Sequence, residues 1–443
     1  MKRWLPLILC AAASAWGQTP QLLSLDDAVA IGKRQSRALQ IASARADGAA
    51  AKAGEAGAAR WPSLRASAGY LRVSPGNFSL NLQIPPSFGA LLGPSAFSPA
   101  VVEDNYSLRV ALYQPVFTGF RLSSAASAAE LSSQASALDR DLAADDLVLN
   151  VTTAYWTLYQ TLEWKRMVGE NVTRLESYVA DTRRMLDNGL ATRNDLLKME
   201  VQLANARVQL IDAENETLLA EMNLNAALGQ PVETRIQPSS TPEEVFRTDS
   251  LGEVSDGGEA LAVRKDYRAA GLLRDAAREN VRAASGGYWP QIDLTAAYNY
   301  NRPYARYSPV SSEFLGGWEI GLQMSLDLWN WGRTASQREQ AEAALRQSEQ
   351  QLAQMKDNIA LEINRAALGK RRATEKVSVA RLAVSQAEEH LRMTNDRYRT
   401  GLASASDLLD AEVSLLQAKT SASGAAVEFA VAAARLVRAK GRQ

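Results

Sequence analysis

The chain has 443 residues, and its 49 acidic and 49 basic side chains leave no formal net charge. This balance argues against a nucleic-acid partner, because nucleic acids select basic surfaces. A single cysteine, Cys10, and a single histidine, His390, exclude a disulfide framework and a histidine-rich metal site, and argue against thiol catalysis and a Ser-His-Asp triad. No glycine-rich phosphate loop follows a predicted strand. We therefore expect that the protein is not an enzyme and that it has no cofactor and no metal site.

Residues 1–17 have the pattern of a secretory signal peptide. Two basic residues precede an apolar run, which ends at Ala15-Trp16-Gly17, a small-x-small cleavage site. Leu9, directly before Cys10, is too large for a lipoprotein signal, so we expect ordinary cleavage and a mature chain without cysteine. No other apolar run approaches the roughly 18 residues that a membrane-spanning helix requires.

An alanine-rich helical pattern begins near Ser24 and is expected to run to about Arg60. Trp61-Pro62 ends it, because proline cannot continue a helix. Alternation of apolar and polar residues follows in four segments, at residues 64–72, 106–116, 291–300 and 318–328. Their lengths match membrane strands of roughly 9–11 residues. The pattern predicts two β-hairpins, at about 64–116 and 291–328.

Aromatic residues cluster where the predicted strands meet the helices. They are Trp61, Phe117, Phe120, Trp289, Trp329 and Trp331. Aromatic residues at one end of apolar strands are typical of an interfacial girdle in a membrane protein. A soluble β-sandwich with buried aromatic residues is the alternative, but each hairpin lies between very long helices, which favours the membrane.

Two helical patterns, from about 122 to 186 and from 334 to 399, continue without proline. At about 1.5 Å per residue each helix would be roughly 100 Å long and would need coiled-coil packing. The second contains such a seam, with 3-4 spacing, formed by Val377, Ala380, Val384, Ala387, Leu391, Thr394 and Tyr398. Return helices are predicted at about 192–228 and 404–440.

Each long helix is predicted to end at a glycine, Gly189 or Gly401, in the left-handed conformation that closes a helix. A tight turn and a new helix follow, which gives helix tips at about 186–195 and 398–407. Thr192 and Ser404 have N-cap spacing, three residues before an aspartate in the first helical turn. These aspartates are Asp195 and Asp407.

The tip sequences recur at an offset of 212 residues (401 − 189 = 212). Such a repeat at a fixed offset indicates that the chain consists of repeated structural units. We expect a first repeat at 18–229, an inter-repeat segment at 230–257 and a second repeat at 258–443. The inter-repeat segment, rich in proline and glycine, is expected to be too polar for a core and to pack outside the helices. Loops are expected at 73–104 and 301–314.

Four strands per chain cannot close a membrane barrel, and open sheet edges are not tolerated in hydrocarbon. Several chains must therefore contribute strands to one barrel. Two copies would supply eight strands and three would supply twelve, and the strand count alone leaves both possible.

The landmarks resemble the outer-membrane efflux protein family, the TolC-like outer-membrane factors. They include the repeat, the Trp-Pro junctions, and Arg397-Tyr398-Arg399-Thr400-Gly401 leading into Asp407-Leu408-Leu409-Asp410-Ala411. The resemblance implies an α+β membrane protein, a homotrimer whose 12-stranded transmembrane β-barrel continues into a periplasmic α-helical barrel. It implies a passive exit duct through the outer-membrane lipid. The implied partners are a periplasmic adaptor and an inner-membrane pump of resistance-nodulation-division or ABC type.

By position in the family motif, Asp407 and Asp410 match two aspartates that ring the constriction, while Asp195 and Tyr398 match members of a latch. The usual latch arginine falls on Ala403, so the resting state is expected to be held differently or less tightly. Simpler interpretations remain open. Both Asp195 and Asp407 fit helix capping, Asp410 fits an exposed helix face, and Tyr398 fits the seam.

A periplasmic coiled-coil adaptor or scaffold is the alternative function, since it would also contain long helical hairpins. It would not need four amphipathic strands that end in aromatic residues. A trimeric surface adhesin would need a larger exported region than these loops provide. The sequence does not specify the exported substrate, the pump class or the adaptor contacts.

Overall fold

The computed structural model describes residues 21–74, 102–248, 257–304 and 312–441. The predicted signal peptide, most of the loop predicted at 73–104 and half of the loop predicted at 301–314 lie outside the described residues. The chain divides into two compact units. The first contains Met1–Ala46, Ala137–Ala269 and Ala353–Gln443, and the second contains Asp47–Ser136 and Ala270–Leu352.

Helices account for most of the described chain. They are α1 Leu25–Gln35, α2 Arg37–Ala58, α3 Arg121–Asp187, α4 Arg193–Leu228, α5 Pro242–Thr248, α6 Gly257–Val263, α7 Lys265–Ser285, α8 Arg333–Arg399 and α9 Ala405–Ala439. The strands are β1 Gln21–Leu23, β2 Ser63–Arg72, β3 Asp104–Phe117, β4 Ile236–Pro238, β5 Gln291–Arg302 and β6 Leu315–Ser325. Among the described helices, none is both long and apolar enough to cross a membrane.

The two longest helices, α3 and α8, each contain 67 residues. The first residues of the two helices are 212 positions apart (333 − 121 = 212), and so are their last residues (399 − 187 = 212). Left-handed backbone positions keep the same offset: they pair Gly119 with Trp331, Phe120 with Gly332, Gly189 with Gly401 and Gly229 with Gly441. In α8 the predicted seam faces inward, since Val377, Thr394 and Tyr398 are buried.

The helix expected between Ser24 and Arg60 is instead two helices, so that prediction is wrong at its centre. Ser36 ends α1 with an extended ψ of 124°. The backbone of Gly229, at the end of α4, lies so close that a Cβ there would be 2.5 Å from the Gln35 carbonyl oxygen. This close approach of two backbones accompanies the break and requires glycine at 229.

The second unit contains an antiparallel four-stranded sheet in the order β2-β3-β5-β6. Its register places apolar residues in rows on one face; one row joins Val110, Tyr298 and Trp318. The opposite face is polar, and there Arg109 of β3 forms a 3.2 Å ion pair with Glu319 of β6. The alternation predicted from the sequence therefore gives the sheet one apolar and one polar face.

The apolar face is exposed in the single chain, with Trp318 74% accessible. Among the described residues, the outer edges of β2 and β6 pair with no strand. The strand predicted to reach residue 328 ends at Ser325, which pairs with Gln291. Pro290 comes next on the partner strand and has no N–H to donate, so the hydrogen-bonded ladder stops there.

The first unit has a core around Tyr155 and Trp156, both fully buried in α3. The Tyr155 hydroxyl donates to the Leu23 carbonyl (2.9 Å) and accepts from the Ser240 N–H (2.9 Å). These bonds attach the parallel β1–β4 pair to the helices. Ile236 of β4 is buried in this core, so the expectation that the inter-repeat segment is too polar for a core is wrong at that residue.

Candidate functional site

The two helix tips have the same backbone structure. After α3, the N–H of Gly189 donates to the Leu186 carbonyl and that of Leu190 to the Met185 carbonyl. After α8, the corresponding donors are Gly401 and Leu402. These two hydrogen bonds satisfy carbonyl groups that the end of a helix leaves without partners. The pattern requires a residue in the left-handed conformation. The φ values of Gly189 and Gly401 are +73° and +74°, as predicted.

The helices that follow the tips begin with reciprocal caps. The Asp195 N–H donates to Thr192 Oγ1 (3.2 Å), and the Thr192 N–H donates to the Asp195 carboxylate (3.1 Å). The second tip has the same pair of bonds: the Asp407 N–H donates to Ser404 Oγ (3.2 Å), and the Ser404 N–H donates to the Asp407 carboxylate (2.8 Å). The side-chain bond from Thr192 lowers the pKa of Asp195, and the backbone bond from Ser404 lowers the pKa of Asp407. The predicted caps are confirmed.

Tyr398, predicted as a latch residue, is buried near the end of α8 and is 6% exposed. Its hydroxyl lies 2.8 Å from that of Thr182 in α3. Asp195, the other predicted latch residue, bonds Thr192 in its own cap. The two predicted latch residues therefore have different partners, and of these two it is Tyr398 that bonds the other long helix.

A buried acid, Glu412 of α9, lies about two turns beyond the N-cap residue Ser404 (412 − 404 = 8) and was not identified from the sequence. It is 2% exposed. Its two oxygens accept from Nε of Arg174 at 3.0 and 3.1 Å, and the Tyr178 hydroxyl donates to one of them at 2.9 Å. Burial first, and then the Glu412 charge, raise the pKa of Tyr178. One sequence signal could have identified Glu412: it is an acidic residue on the buried face of α9, between Leu408 and Leu415.

The predicted ring residues Asp407 and Asp410 are both exposed. Asp410 lines a groove of about 480 Å³ between α4 and α9, whose other lining residues include Leu197, Lys198, Val201, Ser406 and Val413. Lys198 Nζ donates to Ser406 Oγ across this groove (3.0 Å). Ala403, at the position of the expected arginine, packs beside the apolar cluster that contains Tyr398 and Leu408.

The predicted girdle residues lie in the second unit at the strand–helix junctions. Phe117 and Phe120 are in edge contact (5.7 Å between ring centroids), as are Trp329 and Trp331 (5.8 Å). Trp61, Phe120, Trp289, Trp329 and Trp331 are mostly exposed, Trp331 at 88%. The high exposed fraction of these side chains disagrees with the alternative of a soluble β-sandwich, in which the aromatic residues would be buried. Within the described ranges, no group of acidic, cysteine or histidine residues could hold a metal ion.

These features describe a class of protein in which amphipathic strands are joined to long helical hairpins. A sequence model described as outer membrane efflux protein matches residues 33–230 and 257–442. The chain belongs to the outer membrane efflux protein family, which confirms the resemblance seen in the sequence, and it is an outer-membrane protein with a periplasmic extension.

Individual relatives agree with this assignment. The outer membrane protein TolC of Vibrio cholerae is 25% identical over 307 residues, which cover 67% of each chain. The outer membrane efflux protein BepC of Brucella suis is 24% identical over 338 residues, 75% of this chain and 71% of that one. The crystal structure of the outer membrane protein VceC from Vibrio cholerae superposes with a TM-score of 0.79 at 22% identity, over 94% of this chain and 96% of VceC. The chain therefore has the fold of VceC.

Proposed function

We propose that the protein is the outer-membrane exit duct of a tripartite efflux or type I secretion system. The observation that carries this proposal is the four-stranded sheet, with its exposed apolar face and its two unpaired edges in the described chain. An apolar sheet face is stable in lipid only when every edge is paired, so copies of the chain must close a barrel. Family membership favours three copies, twelve strands and two tandem repeats per chain.

The same proposal assigns the helices to a periplasmic barrel that meets an adaptor protein and an inner-membrane pump. No chemistry by the chain itself is required. Substrate passes through a passive duct, and the energy is supplied by the pump. The residues at 178–203 and 389–415 would then open like an iris, with loss of the contacts around Tyr398 and Asp195.

Asp407 and Asp410 are proposed to line the constriction of this duct. Their carboxylates are exposed and lie within one turn of α9. Three copies would place six carboxylates around one axis, an arrangement that attracts cations.

The test is reconstitution of the purified protein in planar lipid bilayers, together with its oligomeric state. A heat-modifiable trimer with a small, cation-selective conductance would support the duct. A monomer that is soluble without detergent would overturn it and would favour the periplasmic scaffold.

A further inference from the structure

One side of α3 carries three polar residues that reach the second half of the chain. Arg174, Tyr178 and Thr182 are spaced four residues apart, so they lie along the same face of the helix. Arg174 and Tyr178 bind Glu412 of α9, and Thr182 bonds Tyr398 of α8. A single helix of the first half therefore contacts both helices that form the second tip.

Burial makes the Glu412 contact costly to break. A carboxylate away from water is stable only when it is paired and hydrogen-bonded, and removing one partner leaves an uncompensated charge. Glu412 accepts from two donors: the single Nε–H of Arg174, which is shared between both carboxylate oxygens, and the Tyr178 hydroxyl. The bond from the guanidinium is charge-assisted, which is the stronger kind. Movement of α9 away from α3 must replace both donors with water.

The corresponding positions of the other half do not repeat this network. Glu200 is the counterpart of Glu412 (412 − 200 = 212), and it forms an exposed ion pair with Arg183 at 2.7 Å. The counterparts of Arg174 and Tyr178 are Gln386 and His390, which cannot reproduce a guanidinium and a phenol. The buried network is therefore a specific feature of the contact between α3 and α9, and Glu200 provides a matched control.

We propose that Arg174, Tyr178 and Glu412, together with the Thr182–Tyr398 pair, are the restraint that holds the second tip closed against α3. This inference deepens the proposed function, on which it rests. Glu412 is a positioning residue, because it fixes the helix that carries Asp407 and Asp410.

The restraint can be measured directly as a distance between the two tips. Spin labels at Asn188→Cys and Thr400→Cys occupy matching exposed turn positions (400 − 188 = 212). The variants also contain Cys10→Ala, which replaces the one cysteine of the sequence, so the labels report only the introduced sites. In the full chain in lipid, Glu412→Gln should lengthen and broaden the distance between the labels, while Glu200→Gln should leave it unchanged. If Glu412→Gln does not assemble, Tyr178→Phe replaces it in this experiment, because it removes only the hydroxyl that bonds Glu412.

Conductance of the same variants in planar bilayers separates this inference from the proposed function. Loss of one charge-assisted bond should raise the open probability about tenfold for Glu412→Gln. The exchange Arg174→Glu with Glu412→Arg should restore the low value, which general structural damage would not do. A changed label distance without any current would refute the duct while supporting the restraint. A conducting wild type, with both readouts unchanged in Glu412→Gln and Tyr178→Phe, would overturn the inference.

Discussion

The hydroxyl groups of Tyr398 and Thr182 lie 2.8 Å apart in a buried contact between α8 and α3. The two residues are 216 positions apart in the chain. Thr182 is fully buried, so its hydroxyl has no access to water. The contact therefore satisfies two polar groups at once and fixes the last turn of α8, directly before the turn at Gly401.

Tyr398→Phe should weaken the tip locally. The substitution retains the ring and leaves the Thr182 hydroxyl buried without its partner, which costs about 1–3 kcal/mol. Native-state hydrogen exchange of the amides around Gly401 measures this cost. The double variant Thr182→Val with Tyr398→Phe should recover most of it, because neither polar group then remains. Simple addition of the two single effects would show that the bond contributes nothing.

The turns at the tips, the caps that follow them and the four strands of the sheet could be predicted from the sequence because their signals are local. A glycine that must be left-handed, a serine three residues before an aspartate, and an alternating run each determine their own neighbourhood. Glu412 was missed for the opposite reason. Its partner Arg174 is 238 residues away, and only the tertiary structure brings the two together.

The end of β6 shows the same limit. Leu326 and Leu328 continue the alternation of the strand, but the ladder ends at Ser325 because Pro290 occupies the next position of the partner strand. A period describes which side chains share a face. It does not specify where the hydrogen bonds between two strands end, because that depends on the donors of the neighbouring strand.

Protonation of Asp195 should weaken the cap of α4 only below about pH 5. The pKa of Asp195 is lowered in the folded chain, first by its bond from Thr192. A group with a lowered pKa contributes stability above its unfolded pKa, near 3.9 for aspartate, and loses it as the pH falls through the folded value. Exchange protection of the first turn of α4, corrected for intrinsic rates, should be constant from about pH 7 to 5 and then fall.

Asp195→Asn is the control for this pH dependence, since its amide oxygen can still accept the backbone bond but does not titrate. Its protection should be flat across the same range. A wild-type profile that falls already between about pH 7 and 5 would assign the effect to another group.

Block by multivalent cations should depend on the two exposed aspartates of α9. If Asp407 and Asp410 line the duct, replacing both with alanine removes the carboxylates that concentrate cations. The Mg²⁺ concentration for half block in planar bilayers should rise about tenfold, which corresponds to about 1.4 kcal/mol. Asp187→Ala, at the exposed end of α3, should leave the block unchanged. Equal block in the double variant and the wild type would remove these residues from the ring.

Two neighbouring residues of β6 can test which face of the sheet meets lipid. Leu322 pairs with Leu294 on the apolar face, and Gln323 pairs with Asp293 on the polar face. A lysine on the lipid side near the bilayer midplane costs about 2–4 kcal/mol, whereas a lysine facing the lumen is tolerated. Leu322→Lys should therefore reduce the fraction of heat-modifiable, folded protein in lipid vesicles, and Gln323→Lys should not. The two substitutions introduce the same charge one residue apart, so a general effect of charge would reduce both equally. A reversed order would mean that the apolar face packs against protein and that the sheet does not line a membrane duct in the proposed orientation.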